Sequence, residues 1–216
     1  MGQIVPRRTY QNRIIMGAAA SGVFFDAFGT ITTIDFGTFG GSYTPITVGS
    51  GSNRALLVAL ATSSATTSSM TWNGVALSSL GSVDNSSDRL ELYGLVNPAS
   101  GTQTLSVSLG AGQWGLISAI SFRGVNQTGG TTSFPGFNSG GATDHLNISS
   151  SALDLVFAAQ WDNGGTAWDG ANLVASNNGT NSAGFGGEAY YTGATTVTIG
   201  SATPHRCLVG CNVKAA

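Results

Sequence analysis

Short apolar segments separated by turn residues run along most of this chain, and they predict β-strands. The segment ALLVALAT (55–62) is almost continuously apolar, which is typical of a strand buried on both faces. The segment TQTLSVSL (102–109) alternates instead, with Leu105, Val107 and Leu109 separated by serines. Because successive side chains of a strand point to opposite faces, this alternation predicts one apolar face and one polar face.

Turn residues at two places predict how these strands connect. Asn73 and Gly74 lie between Trp72 and Val75, and an Asn-Gly pair favours the type I′ turn of a tight β-hairpin. The sequence Pro-Ala-Ser-Gly at 98–101 predicts a second turn directly before the alternating strand. Turns this short join antiparallel neighbours, so we expect antiparallel sheets.

Further strand candidates share this short length and these flanking turn residues. They are 31–36, 44–49, 89–96, 114–122, 153–161, 171–176, 185–192, 195–200 and 205–213. No segment has a convincing amphipathic helical period, so the chain is predicted to be all-β, a jelly-roll-like antiparallel β-sandwich. The Gly- and Thr-rich stretch 124–144 is predicted to be a long loop across one end of the sandwich or an internal joint.

The first thirty residues differ from the rest because they combine a basic start with a modest apolar run. We divide the chain into an N-terminal docking arm (1–30) and a single β-sandwich domain (31–216). The apolar run is too short and too interrupted to span a membrane. The side chains expected to anchor the arm on an acidic, partly apolar neighbour are Arg7, Arg8, Arg13, Ile14, Ile15 and Met16.

Composition limits the kinds of partner. Charged residues make up only 8% of the chain, against a norm of about 25%. The formal net charge is −2, which offers no basic stripe for a phosphate backbone, so nucleic acid is not expected as a partner. A surface built from Ser, Thr, Asn and Gln is typical of extracellular β-proteins and virion proteins.

Cys207 and Cys211 are four residues apart within one strand candidate. In a strand both would point to the same face about 13 Å apart, too far for a disulfide between them. We interpret them as small buried side chains of a core face. A metal site would need more ligands than His145 and His205, each of which stands alone, so no metal or other cofactor is expected.

The stretch QWDNGGTAWDG (160–170) is the most distinctive candidate for a binding loop. Trp161 is expected to end the preceding strand as a core residue, with its indole N–H reaching a loop carbonyl. Trp168 is expected to be exposed among Gly and Asp. Trp168, Asp169 and Asp162 therefore form a possible ligand loop, with an aromatic face for a sugar and carboxylates beside it. The same residue types also suit an ordinary turn.

No enzyme motif is present, and no catalytic residue is predicted. The two histidines begin strand candidates, where we expect them to be exposed and without a catalytic role. Spacing alone leaves a Ser-His-Asp triad open, because its members can lie far apart in sequence. The loop DNSSD (84–88) offers oxygen ligands for calcium, but it lacks the spacing of a calcium-binding loop and suits a turn equally well.

Several phrases occur together and in order: NRALLVALA, MTWNGVALSSLGS, LELYGLVNPASGTQTLSVSL, AISFRGVNQ and LDLVFAAQ. Over roughly residues 50–160 the chain thereby resembles a β-sandwich module of tailed-bacteriophage virion proteins and bacterial surface proteins, with a weaker echo at CLVGCNVKAA. The resemblance implies a fold and a structural role, and it carries no catalytic residues.

The resemblance leads us to expect a non-enzymatic structural protein on the virion surface of a tailed phage, of the capsid decoration (cement) or head or tail fibre type. Its partner would be the major capsid protein or another virion protein, and a homo-oligomer, with a trimer as the first guess, is expected from edge strands with few charges. The alternative is a secreted or surface carbohydrate-binding β-sandwich module that uses Trp168 and nearby polar groups.

Overall fold

The regular structure consists almost entirely of β-strands. A computed structural model describes residues 22–63, 68–162, 167–181 and 184–216. The strands are β1 (Phe24–Phe28), β2 (Thr32–Tyr43), β3 (Thr47–Val48), β4 (Ala55–Thr62), β5 (Ser68–Trp72), β6 (Val75–Ala76), β7 (Ser78–Asn85), β8 (Asp88–Val96), β9 (Gly101–Thr102), β10 (Leu105–Arg123), β11 (Asn138–Ser149), β12 (Leu155–Asp162), β13 (Leu173–Asn181), β14 (Gly184–Thr192) and β15 (Thr196–Val213). One helical turn, α1 (Gly130–Ser133), precedes β11.

The strands form two main antiparallel sheets. The first has the order β6-β5-β10-β4-β8-β7, and β1 and β2 also pair with its long strand β10. The second has the order β11-β15-β12-β14-β13, and β3 pairs with β9 in a short ribbon. The predicted all-β, antiparallel sandwich-like fold is thereby confirmed, while the jelly-roll arrangement stays a prediction.

The main core lies between the two sheets. Apolar side chains of β4, β8 and β10 in the first sheet cluster with those of β12, β14 and β15 in the second. Phe157 and Trp161 are fully buried here. Cys207 and Cys211 face the same core as free, buried thiols, as the sequence predicted. Burial of this shared apolar surface is the dominant force that holds the sheets together.

Both sheets also have a second apolar face. A cluster that includes Trp72 and Met70 covers the far side of the first sheet, and one that includes Tyr191 and Trp168 covers the far side of the second. Every residue of β4 is consequently buried, as its continuous apolar sequence predicted. The extra layers also bury residues on the polar face of β8. Glu91 is paired with Arg89, with 3.1 Å between Oε1 and Nε.

The two sheets approach closely beside a pair of glycines that are neighbours in the second sheet. Gly179 of β13 pairs with Gly186 of β14. A Cβ on Gly179 would lie 2.7 Å from the Ile31 side chain, and one on Gly186 would lie 2.7 Å from that of Leu116. A larger residue at Gly179 would therefore have to displace Ile31 at its Cβ, whereas at Gly186 the end of the Leu116 side chain could move aside.

Four parts of the chain differ from the sequence prediction, and the first three concern the limits of strands. β1 lies within the residues assigned to the arm, yet it pairs with β10 and Val23 is buried in the main core. The segments 102–109 and 114–122 are joined in the single strand β10, because a register shift between Ser108 and Gln113 absorbs the intervening residues without ending the strand. The segments 195–200 and 205–213 are likewise continuous in β15.

The stretch predicted as a loop or joint instead contains α1 and most of β11. Gly140 and Gly141 pair in regular register with Leu208 and Cys207 of β15, and the irregularity of β11 follows them. Ala142 has a positive φ of 51°, and the pairing with β15 shifts register between Thr143 and His145. Among the described residues, no helix has the length and apolar character needed to cross a membrane.

Candidate functional site

The C-terminal end of the predicted ligand loop, at Trp168 and Asp169, packs against the outer face of the second sheet. Trp168 is only 6% exposed, and its Nε1 donates a hydrogen bond to Oδ1 of Asn178 at 3.0 Å. Gly187 makes room for this arrangement, because a Cβ at that position would collide with the Asn178 amide. The expectation that Trp168 is exposed is therefore wrong. The indole fills the space that a missing side chain leaves on the sheet.

Asp169 fixes the same segment to the sheet through two contacts. Its backbone N–H donates to the carbonyl of Gly200 at 2.9 Å, and its Oδ1 lies 2.9 Å from Nε2 of His145. The other ring nitrogen of His145 lies 3.6 Å from Oδ2 of Asp144. His145 is thus about one-third exposed and held between two carboxylates, rather than free in solvent as the sequence suggested.

His205 is almost fully buried beneath this segment, which corrects the prediction of an exposed histidine. Its ring centroid lies 6.0 Å from that of Trp168, and its Nε2 lies 3.0 Å from Oγ of Ser201. The Ser201 hydroxyl donates its only proton to the carbonyl of Thr203 at 2.9 Å. With the hydroxyl proton of Ser201 on the Thr203 carbonyl, Nε2 of His205 is the donor to Ser201, and the neutral ring carries its proton on Nε2.

This tautomer leaves Nδ1 of His205 as a bare acceptor. Nδ1 has no hydrogen-bond partner in the described part of the chain, and it lies 3.8 Å from Oδ2 of Asp162. Burial lowers the pKa of His205. The nearby carboxylates, Asp162 foremost, oppose that shift, and His145 adds to it. The described fold therefore holds His205 in its neutral form under the Trp168 indole.

Ser201, His205 and Asp162 bring together the side chains of a Ser-His-Asp triad, but not in a competent geometry. A triad needs an exposed serine whose proton passes to the histidine, and a histidine N–H that points to the carboxylate. Ser201 is fully buried, and Nδ1 of His205 lies 3.8 Å from Oδ2 of Asp162, which is beyond hydrogen-bond distance. In this conformation the group has a structural role.

A second polar cluster lies on the inner face of the second sheet. Glu188 is completely buried between the sheets, and its Oε1 accepts a hydrogen bond of 3.3 Å from Nδ2 of Asn177. Ser118 of the opposite sheet also bonds this carboxyl group, while Oε2 has no partner in the described residues. Desolvation raises the pKa of Glu188 well above its usual value, so burial favours the protonated form of the carboxyl group.

The space beside this cluster is small. A cavity of about 10 Å³ lies between the sheets and is lined by Ser118, Gln160, Leu116 and neighbouring small residues. That volume is close to the minimum that a single water needs. The inner polar cluster therefore offers no room for an organic ligand.

The acidic loop considered for calcium is occupied by arginines. Arg89 contacts Asp84 at 2.9 Å, and Arg206 contacts Asp88 at 2.6 Å. Across residues 22–63, 68–162, 167–181 and 184–216, no group of three or more His, Cys, Asp or Glu side chains is arranged to hold a metal ion. The described carboxylates of this loop serve ion pairs within the fold.

The remaining predicted site residues divide into two groups. Trp161 is a buried core residue as expected, but its Nε1 has no partner in the described residues, so the predicted bond to a loop carbonyl is not made there. The arm residues all lie outside the described residues: Arg7, Arg8, Arg13, Ile14, Ile15 and Met16.

Sequence reasoning missed the polar residues Glu188, Asn177 and Ser201, whose side chains serve contacts within the fold. A signal for Glu188 was present, because Gly186, Glu188 and Tyr190 share one face of the strand by simple alternation. No comparable local signal marks Ser201, because its role depends on the ring of His205 and on the Thr203 carbonyl. Comparison of the chain with models of protein families, with curated proteins and with solved structures finds no match.

Proposed function

We propose that this chain is a non-enzymatic structural protein of a tailed-phage virion, of the capsid decoration or fibre type. It would stabilise the particle by contacts of its N-terminal arm and by contacts between its own copies on the virion surface. The expected partner is the major capsid protein or another virion protein. This role follows the resemblance of residues 50–160 and the low charge of the chain.

The observation that carries the proposal is the closure of both polar clusters. Trp168 covers His205, and the latter holds Ser201 in a buried hydrogen-bond network. Glu188 is sealed between the two sheets. Polar groups that serve catalysis or ligand binding must be reached by a substrate. These clusters instead join loop to sheet and sheet to sheet, which suits a protein whose task is mechanical.

The same closure weakens the carbohydrate-binding alternative. A sugar stacks on the open face of an aromatic ring, and the indole of Trp168 is packed onto the sheet with its N–H already bonded. Binding through this ring would first require the segment to lift and break the Trp168–Asn178 and Asp169–Gly200 hydrogen bonds. We therefore keep the structural role as the proposed function.

Association with particles tests the proposal directly. Virions from an infected culture are purified on a density gradient, and an antibody against the chain locates it across the fractions. We expect the chain to migrate with intact virions and to be displayed on their surface in immunogold images. A chain that remains with soluble host proteins would overturn the virion assignment.

The arm is tested by a deletion that spares the described sheet. Removal of residues 1–21 leaves β1 and Val23 in place, whereas a cut at residue 30 would also remove β1. We expect the shortened chain to fold with an unchanged far-UV circular dichroism spectrum and to be lost from virions. A matched full-length variant with Arg7, Arg8 and Arg13 changed to Ser separates the charge of the arm from its apolar residues.

A further inference from the structure

In the part of the chain that the structure describes, the outer edge of β13 is an unprotected strand edge. Within the described residues β13 pairs on one side only, with β14, and the register is regular from Ala175 to Asn181. The strand contains no charged residue and no proline. Ser176 is exposed, and Val174 is 49% exposed. An edge of this kind presents a row of unpaired N–H and C=O groups that can template another strand.

The opposite edge of the same sheet is protected. β11 carries Asp144 and His145, a left-handed residue at Ala142 and a break in register. Its middle also packs beside the first sheet, where Gly141 lies against Asn85. Charges, bulges and cover are the usual means by which sheet edges are kept from pairing. β13 has none of the charges of β11, and its own irregularity is confined to its first residues, between Leu173 and Ala175.

The strand is also held rigid for pairing. Asn177, at the centre of β13, donates from Nδ2 to the carbonyl of Gly29 at 2.8 Å and to Glu188 at 3.3 Å. These contacts tie the middle of β13 to the first sheet and to β14. A strand that is already ordered loses little conformational entropy when a second strand is added.

From this geometry we propose that β13 is a self-association surface, on which β13 of a second copy of this chain adds antiparallel about a two-fold axis near Asn177. The two five-stranded sheets become one continuous ten-stranded sheet. A second copy is the favoured occupant because an uncharged edge meets no repulsion from itself, and a two-fold contact uses the same patch on both partners. Around this axis Ser176 lies opposite Asn178 of the partner.

The dimer would supply the contact between copies in the structural role proposed above. It is measured on the isolated chain, so its failure and the failure of virion association can be told apart. Sedimentation equilibrium over a concentration series gives the dimerisation constant. Ser176→Lys places two lysines at the shared edge, and Ser149→Lys, on β11, adds the same single charge at an exposed serine of the protected edge.

We expect the wild-type chain and Ser149→Lys to dimerise equally, and Ser176→Lys to dimerise about tenfold more weakly or not at all. A wild-type chain that stays monomeric at high micromolar concentration overturns the proposal. So does equal weakening by both lysines, or a larger loss with Ser149→Lys.

Hydrogen exchange of the wild-type chain keeps the test decisive if Ser176→Lys fails to fold. We expect the amides of β13 to become more protected as concentration rises, while those of β11 do not change. Protection that appears at β11, or at neither strand, contradicts the β13 dimer.

Discussion

The two faces of the second sheet each bury a titratable group, an acid on the inner face and a base on the outer face. On the inner face Glu188 lies between two sheets, and desolvation favours its protonated form. On the outer face His205 lies under a single segment of chain and is held neutral by burial. Among the described residues no ion pair outweighs the burial of either group, since Asp162 opposes the shift of His205 without reversing it, so both faces favour the uncharged form.

The difference teaches that the thickness of the cover decides how a buried polar group is accommodated. The inner face is closed by a complete sheet, which cannot move aside to admit water. Glu188 can therefore respond to a change of pH only by keeping or releasing its proton. The outer face is closed by the segment around Trp168, which is fixed by a few hydrogen bonds and can yield. The four predictions below test this contrast.

The largest effect is expected from removing the tryptophan of each face. Trp161→Ala leaves a cavity between two sheets that cannot collapse, so we expect a loss of about 3–5 kcal/mol in the free energy of unfolding. Trp168→Ala should cost less, because the covering segment can settle into the vacated space. Urea denaturation measures both. Equal losses would show that the two covers are equally rigid.

Glu188→Gln is expected to stabilise the chain at neutral pH by about 1–3 kcal/mol, because the amide avoids the free-energy cost of keeping a buried carboxyl group protonated above its usual pKa. The folded chain has a raised pKa here, so the stability from Glu188 is present below its usual pKa. It is lost as pH rises from there through the folded pKa. Glu91→Gln is the control. Because Glu91 is paired with Arg89, this change should destabilise. A gain from both variants would contradict the special position of Glu188.

His205→Asn tests the opposite sign on the outer face. The pKa of His205 is lowered on folding, so its contribution is present above the unfolded pKa and is lost as pH falls through the folded pKa. We expect the wild-type chain to lose on the order of 1 kcal/mol more than His205→Asn between about pH 7.5 and pH 5. Thermal melts at the two pH values measure this, and an identical loss in both chains would refute it.

The smallest effect is expected at the partly exposed pair of His145 and Asp169. His145→Asn removes a pair that water and salt screen, so the free energy of unfolding should change by less than about 0.5 kcal/mol. Chemical denaturation at low and high salt measures the change. A loss above about 1 kcal/mol is the size expected for a buried hydrogen bond. Such a loss would mean that this pair, and not Trp168, holds the segment on the sheet.

Local patterns in the sequence were sufficient for much of the fold. The strand at 55–62 coincides with β4 because a doubly buried strand must be apolar throughout. The predicted turn at Asn73 and Gly74 is confirmed by their positive φ angles of 48° and 80°. Both features depend on residues that are close together in the chain, so a short window contains all the information they need.

The rest depends on what covers each face, which no local window contains. Tyr93 alternates away from the core leucines, yet it is buried because the first sheet has a further apolar layer on that side. Trp168 is surrounded by turn residues in sequence, yet it packs over Gly187 of a strand that follows it. The homo-oligomer, the virion partner and the role of the arm stay predictions for the same reason, since each depends on contacts beyond one chain.

The two free cysteines of the inter-sheet core can report how often the two sheets separate. Burial raises the pKa of the Cys207 thiol to about 12 and raises that of Cys211 as well, so neither forms the reactive thiolate while the sheets are closed. A thiol reagent can therefore consume them only when β15 loses its cover. The rate of that reaction therefore measures how often the two sheets separate, and no label has to be added to the chain.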